Sequence, residues 1–237
     1  MRAILLMSAV ATIATAAACS KTDSGAARDT GMAAAGGSAA ATAAKADVDR
    51  ATGGSGLPAG FVGRTDDSSA PITGAKYTAS GDTWEVVTGP AHIVYRPQDI
   101  ASGNYTASAP IEQLENPAHP EAYGIFIGGR DLDQPTQAYT YFIVRGTNEL
   151  AVKVREGDKT RDVIKWTPSA DVAKQDASGK ASYTLAAQVT GDAVKFIVNG
   201  KQVASVSRVG LPTDGIAGLR INHNLRVRFS PISIKTP

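Results

Sequence analysis

The stretch Ala193-Val-Lys-Phe-Ile-Val198, Asn199-Gly200, Lys201-Gln-Val-Ala-Ser-Val206 carries the strongest folding constraint in this chain. Two runs rich in β-branched and apolar residues flank a dipeptide that accepts positive φ at both positions, as a tight type I′ turn requires. The segment predicts a two-residue β-hairpin. The same texture recurs from about Leu57 to the C-terminus, where short runs of Val, Ile, Tyr, Thr and Phe are separated by Gly, Asn, Asp and Pro. Strands are expected at 83–87, 91–95, 103–111, 123–127, 138–145, 149–155, 162–167, 182–189, 193–198, 201–206, 216–221 and 225–229. In the sixth of these, Leu150, Val152 and Val154 point one way and Glu149, Lys153 and Arg155 the other. Near the C-terminus Leu225, Val227 and Phe229 alternate with Arg226, Arg228 and Ser230. No long segment after Leu57 carries a helical apolar stripe, which excludes parallel βαβ architectures. Eleven or twelve half-apolar strands predict one all-β domain, an antiparallel two-sheet sandwich.

The first 56 residues read differently. Arg2 supplies a positive start, and Ala3 to Ala18 form an uncharged run ending in Ala16-Ala17-Ala18, directly before Cys19. This is the pattern of an export signal over 1–18, too short and too alanine-rich for a membrane-spanning helix. Cys19 is the only cysteine, so no internal disulfide can form and stability must come from a packed core. Its position predicts lipidation, with cleavage before the cysteine and acylation of its sulfur. Ala16 stands where lipoprotein signals usually carry Leu, and ordinary small-x-small cleavage is the other outcome. Residues 19–56 are dominated by Ala, Gly, Ser and Thr without an aromatic residue, so they predict a flexible tether ahead of a β-sandwich over 57–237. The implied address is exported, outer membrane or periplasm, with the membrane as a partner through the lipid. A net charge of +2 argues against nucleic acid.

Four segments carry a family resemblance: Tyr123-Gly-Ile-Phe-Ile-Gly-Gly-Arg-Asp131, Tyr139-Thr-Tyr-Phe-Ile-Val-Arg145, Phe196-Ile-Val-Asn-Gly200 and Gly215-Ile-Ala-Gly-Leu-Arg220. In this order the domain resembles the concanavalin A-like lectin/glucanase superfamily, including laminin G-like and 3-keto-disaccharide hydrolase domains. The resemblance implies a jelly-roll sandwich and a sugar-related role. One departure matters. Glycosidases on this fold use acids spaced E-x-D-x-x-E or E-x-D-x-E along a strand, and no such run occurs here. Glu112-Gln-Leu-Glu115 has the wrong spacing, since residues three apart on a strand face opposite sides. No paired carboxylates of the kind glycoside hydrolysis needs can be nominated.

In 138–145, Tyr139, Tyr141, Ile143 and Arg145 share one face, and Thr140, Phe142 and Val144 the other. With Phe142 in the core, two tyrosines and an arginine line the opposite surface, where rings stack on sugars and Arg grips hydroxyls or carboxylates. Tyr139, Tyr141, Arg145 and Arg220 are therefore the candidate ligand-binding residues. The same strand could instead be covered by a loop or by the tether. Asp131 and Asp133 lie two apart in a loop and are candidate Ca²⁺ ligands, as loop aspartates are in some laminin G-like domains. His92, His119 and His223 lie far apart with no short metal-type spacing, so they point to no zinc site. His223, within Asn222-His223-Asn224, reads as a hairpin turn between two strands, or as a proton carrier beside Arg220. There is no G-x-S-x-G elbow and no phosphate loop.

The expectation is a tethered, non-catalytic jelly roll that binds a glycan or other extracytoplasmic ligand, without a resident cofactor. An enzyme of the 3-keto-disaccharide hydrolase type is the alternative, with Asp131, His223, Glu85 and His92 as candidate catalytic groups together with Arg145. A protein-docking module is the third reading.

Overall fold

A computed structural model describes residues 56–237, and Cys19, the export signal and the tether lie outside the described residues. In chain order the strands are β1 (Val62–Thr65), β2 (Lys76–Ser80), β3 (Thr83–Val87), β4 (His92–Ala101), β5 (Tyr105–Gln113), β6 (Ala122–Arg130), β7 (Ala138–Arg145) and β8 (Glu149–Glu156). They continue as β9 (Lys159–Pro168), β10 (Ala181–Val189), β11 (Ala193–Val198), β12 (Lys201–Ser207), β13 (Gly215–Ile221), β14 (Arg226–Phe229) and β15 (Ser233–Lys235). Two antiparallel sheets result. One runs β1-β4-β13-β6-β7-β8-β9; the other runs β12-β11-β10-β5-β14-β3-β2, with β15 also paired to β5. The chain crosses repeatedly between the sheets, giving the jelly-roll sandwich that the alternation implied.

The Asn199-Gly200 turn forms as its chemistry dictates, with φ of 50° and 82° linking β11 to β12. Between the sheets, alternate residues of both layers interdigitate. Phe142 on β7 meets Phe196 on β11 at 5.1 Å between ring centroids, and Tyr123 on β6 meets Tyr183 on β10 at 6.1 Å. These rings are among the largest fully buried side chains in the described residues, and truncating such a ring costs about 3–5 kcal/mol.

Among the described residues, fifteen strands replace the eleven or twelve expected. β1 and β2 escape pattern reading because each buries little: Gly63 and Arg64 interrupt β1, and only Tyr77 of β2 is buried. β15 is three residues long. Trp84 lies on the third strand, where it meets Phe61 edge-on at 6.4 Å. Asn222-His223-Asn224 is not a hairpin turn, because β13 and β14 belong to different sheets and this segment carries the chain across. Asn224 does take the left-handed conformation, at φ 55°. The glycines ending β6 form a bulge: the register shifts between Ile127 and Arg130, and Gly128 has φ 67°. A Cβ on Gly128 would lie 2.3 Å from the Pro212 carbonyl group, so only glycine fits there.

Candidate functional site

Strand parity places the candidate face. On β7, Phe142 and Val144 enter the inter-sheet core, while Tyr139, Tyr141 and Ile143 point away from the second sheet. There they join Ile93 and Tyr95 of β4, Phe126 of β6 and Leu132 of the β6–β7 loop in a second, smaller apolar cluster. Four aromatic rings form a continuous row. Tyr95 to Phe126 is 6.1 Å, Phe126 to Tyr139 is 5.2 Å, and Tyr139 to Tyr141 is 5.5 Å between centroids. The expected face is therefore present, but its tyrosines are a packed floor rather than open platforms, with Tyr139 only 2% and Tyr141 6% exposed.

Arg220 projects from β13 onto this floor, its guanidinium carbon 5.7 Å from the Tyr141 ring centroid. It donates to both carboxylate oxygens of Asp66, at 2.5 Å each. Burial opposes charge on the Asp66 carboxyl, but the Arg220 charge and hydrogen bonds outweigh it and hold its pKa below the usual value, with a smaller contribution from Arg155. Burial likewise pushes the Tyr141 hydroxyl up to about 12 and raises that of Tyr139. Both phenols stay neutral donors at physiological pH. Arg145 lies at the other end of β7, bonded to both oxygens of Glu149 at 2.8 Å and stacked 4.2 Å from the Trp166 ring.

Arg64 on β1 donates to the carbonyl oxygens of Leu132 (3.1 Å) and Gln134 (2.6 Å), which pins the β6–β7 loop beside the aromatic row. Between β1 and this loop lies a cleft of about 410 Å³, lined by Arg64, Asp66, Ser68, Tyr95, Leu132 and Asp133 among others. Pattern reading missed Arg64, Asp66 and Tyr95. Asp66 follows a strand with almost no alternation, and Tyr95 carries no signal separating it from a core aromatic.

The candidate catalytic groups are not gathered in one pocket. Glu85 on β3 is ion-paired with Arg226 and Arg228 of the eight-stranded sheet. His92 is fully buried, its Nε2 2.5 Å from the Tyr77 hydroxyl and its Nδ1 2.8 Å from the Pro90 carbonyl oxygen. Burial lowers its pKa to about 4, so it is a neutral core imidazole at physiological pH. Asp131 and Asp133 lie in the loop after β6, where Asp131 accepts a hydrogen bond from the Thr136 hydroxyl at 3.2 Å. His223 lies past the end of β13 that neighbours the start of β6.

At that end the topology does what spacing did not foretell. β13 and β6 are antiparallel neighbours, so the residues just after β13 meet those just before β6, and the Asn222 N–H donates to the Ala122 carbonyl at 3.0 Å. His223 Nε2 lies 2.8 Å and His119 Nδ1 3.0 Å from the same carboxylate oxygen, Glu121 Oε1. Asn222 Nδ2 donates to the other, Oε2, at 3.0 Å, and Asn222 Oδ1 accepts from Arg220 Nε at 3.2 Å. Two histidines that looked unrelated in sequence share one carboxylate.

The chain matches no protein-family model and no curated protein sequence. Among solved structures it is similar to carbohydrate binding module CBM66 from Bacillus subtilis, with TM-score 0.55 and 10% identity over 75% of this chain and 96% of that one. It is also similar to the exoplasmic/lumenal domain of VIP36 in its Ca²⁺/Man3GlcNAc-bound form, with TM-score 0.50 and 7% identity over 75% of this chain and 84% of that one. At these identities the likeness establishes a shared lectin-like β-sandwich fold.

Proposed function

We propose that this domain binds a glycan, without cleaving it, on the face of the seven-stranded sheet turned away from its partner. The observation that supports this reading is the row Tyr95–Phe126–Tyr139–Tyr141 beside the Arg220–Asp66 pair, next to a cleft of about 410 Å³. A cleft of that size takes a small ligand. Tyr95, buried like the other rings of the row, forms the floor of the cleft, while Arg64, Asp66, Ser68 and Asp133 offer donors and acceptors to hydroxyls. Tyr139, Tyr141 and Arg220 hold this wall in place, while Arg145, paired with Glu149 and stacked on Trp166, braces the far end of β7. The two similar sandwiches, a carbohydrate binding module and a sugar-bound lumenal domain, agree with the reading in kind. The domain is exported and held to a membrane through acylated Cys19. Mass spectrometry of the mature N-terminus tests that placement, and a terminus without acyl mass rejects it.

Titration calorimetry against a panel of neutral and acidic oligosaccharides tests the binding. Arg64→Ala and Tyr95→Phe, which keeps the buried ring and removes only its hydroxyl, are each expected to weaken binding at least tenfold without lowering the melting temperature by more than a few degrees. Binding unchanged in both variants rejects the cleft; no binding across the panel favours the protein-docking reading. A sugar-cleaving enzyme is the second reading, favoured by the imidazole–carboxylate contact of His223 with Glu121. Turnover that disappears in His223→Ala would replace the binding reading with that one.

A further inference from the structure

The end of the sandwich where β13 meets β6 carries a second constellation, separate from the proposed glycan face. His119, Glu121 and His223 each offer one donor atom, and all of these atoms lie within 4.8 Å of one another. Among the described residues, this is the group of three such side chains brought that close. We propose that it is a divalent transition-metal site of the zinc class, with two imidazole nitrogens and one carboxylate oxygen as ligands.

The donor set carries the choice of metal. Two imidazoles with one carboxylate suit zinc and its transition-metal neighbours, whereas Ca²⁺ takes six to eight oxygens and Mg²⁺ a near-octahedral oxygen shell. Zinc bonds of about 2.0–2.2 Å place tetrahedral donors roughly 3–4 Å apart. The two imidazole–carboxylate separations, 3.0 and 2.8 Å, lie close to that spacing, so small side-chain rotations admit the ion.

The surroundings are those of a built site. The Glu121 side chain is only 8% exposed, and the groups paired with its charge are the two imidazoles. A buried carboxylate needs positive compensation, which a divalent cation supplies directly. Asn222 holds the second carboxylate oxygen and is itself held by Arg220, which is the outer-shell support that orients metal ligands. Pro120, between the first two ligands, disfavours helical backbone at His119 and keeps the loop open.

Three protein ligands leave a fourth position, and the cluster borders a cavity of about 250 Å³ whose walls include Gln113, Asn116, Thr147 and Gln175. The Gln113 side chain is fixed there by hydrogen bonds from its Nε2 to Gln175 Oε1 (2.7 Å) and to the Gly179 carbonyl oxygen (2.6 Å). The ion also ties the β5–β6 loop to the β13–β14 crossing, and so joins segments 104 positions apart at their histidines, from 119 to 223.

The test is calorimetric titration of the untagged, metal-stripped chain with Zn²⁺ alone and, separately, with Ca²⁺. One Zn²⁺ per chain is expected, with no comparable Ca²⁺ binding. His119→Ala and His223→Ala should each weaken Zn²⁺ at least about tenfold, and Asn222→Ala by about 10–100-fold as an outer-shell loss. Co²⁺ in place of Zn²⁺ should give a visible absorption band that His119→Ala abolishes. His119 has a side chain 42% exposed, so its metal-free variant should melt with the metal-free wild type, which separates lost ligation from lost folding. Absence of Zn²⁺ binding, or equal binding by wild type and His119→Ala, overturns the site. No sugar enters this measurement, so its failure leaves the glycan reading where it stands.

Discussion

Arg220 on β13 grips Asp66, 154 positions earlier and just past β1, through two hydrogen bonds of 2.5 Å, one to each carboxylate oxygen. Their side chains are 8% and 35% exposed, so the pair is neither a surface ion pair nor a fully buried one. It ties the edge strand β1 to the middle of the sheet and so shapes the cleft beside Tyr95.

Asp66→Asn should therefore cost about 2 kcal/mol in urea denaturation, between the ~1 kcal/mol of an exposed pair and the 3–5 kcal/mol of a buried one. Asp66→Asn combined with Arg220→Met should recover part of that loss, because the stranded charge is removed. A double variant less stable than the sum of the singles would show that the pair is not the source.

Strand parity on β7 predicts unequal costs for neighbouring rings. Phe142→Ala opens the main core and should cost about 3–5 kcal/mol. Tyr141→Ala removes a ring from the smaller cluster and should cost about 2–3 kcal/mol, since that ring too is buried. Comparison of the two denaturation midpoints checks this. Equal loss would mean that the two clusters support the fold alike.

His92 makes stability depend on pH. Its folded pKa of about 4 lies below the ordinary value of 6.5, so between these values the unfolded chain binds a proton that the native state rejects. The contribution is complete above about pH 6.5 and is lost as the pH falls toward 4, for a total on the order of 3 kcal/mol. The depressed carboxyl of Asp66 adds a loss at still lower pH, present above about pH 4 and removed as the pH falls through its folded value. Melting temperatures of wild type and His92→Gln from pH 7 to 4.5 check the first window. The variant is expected to be less stable throughout and to show a flatter profile. A wild-type profile already flat there would exclude His92 as the titrating group.

Much of the sandwich was legible locally. The Asn199-Gly200 turn, the alternation of β7 and β8 and the bounds of β3, β7 and β11 follow from side-chain period and turn chemistry, both properties of a few adjacent residues. Which face of β7 each side chain takes was legible for the same reason. Whether that face is open was not, because Ile93 and Tyr95 of β4, Phe126 of β6 and the Arg64 side chain that pins the neighbouring loop come from other strands. His119, Glu121 and His223 show the limit most clearly. No spacing rule joins position 119 to 223; antiparallel pairing of β6 with β13 does, because it sets the start of one strand against the end of the other. Strands with clear alternation, the Asn199-Gly200 turn and the facing of β7 could be read from the chain, since these depend on short-range sterics and periodicity. Which distant carboxylates, imidazoles and guanidinium groups meet is set by which strands become neighbours, and no local pattern carries that.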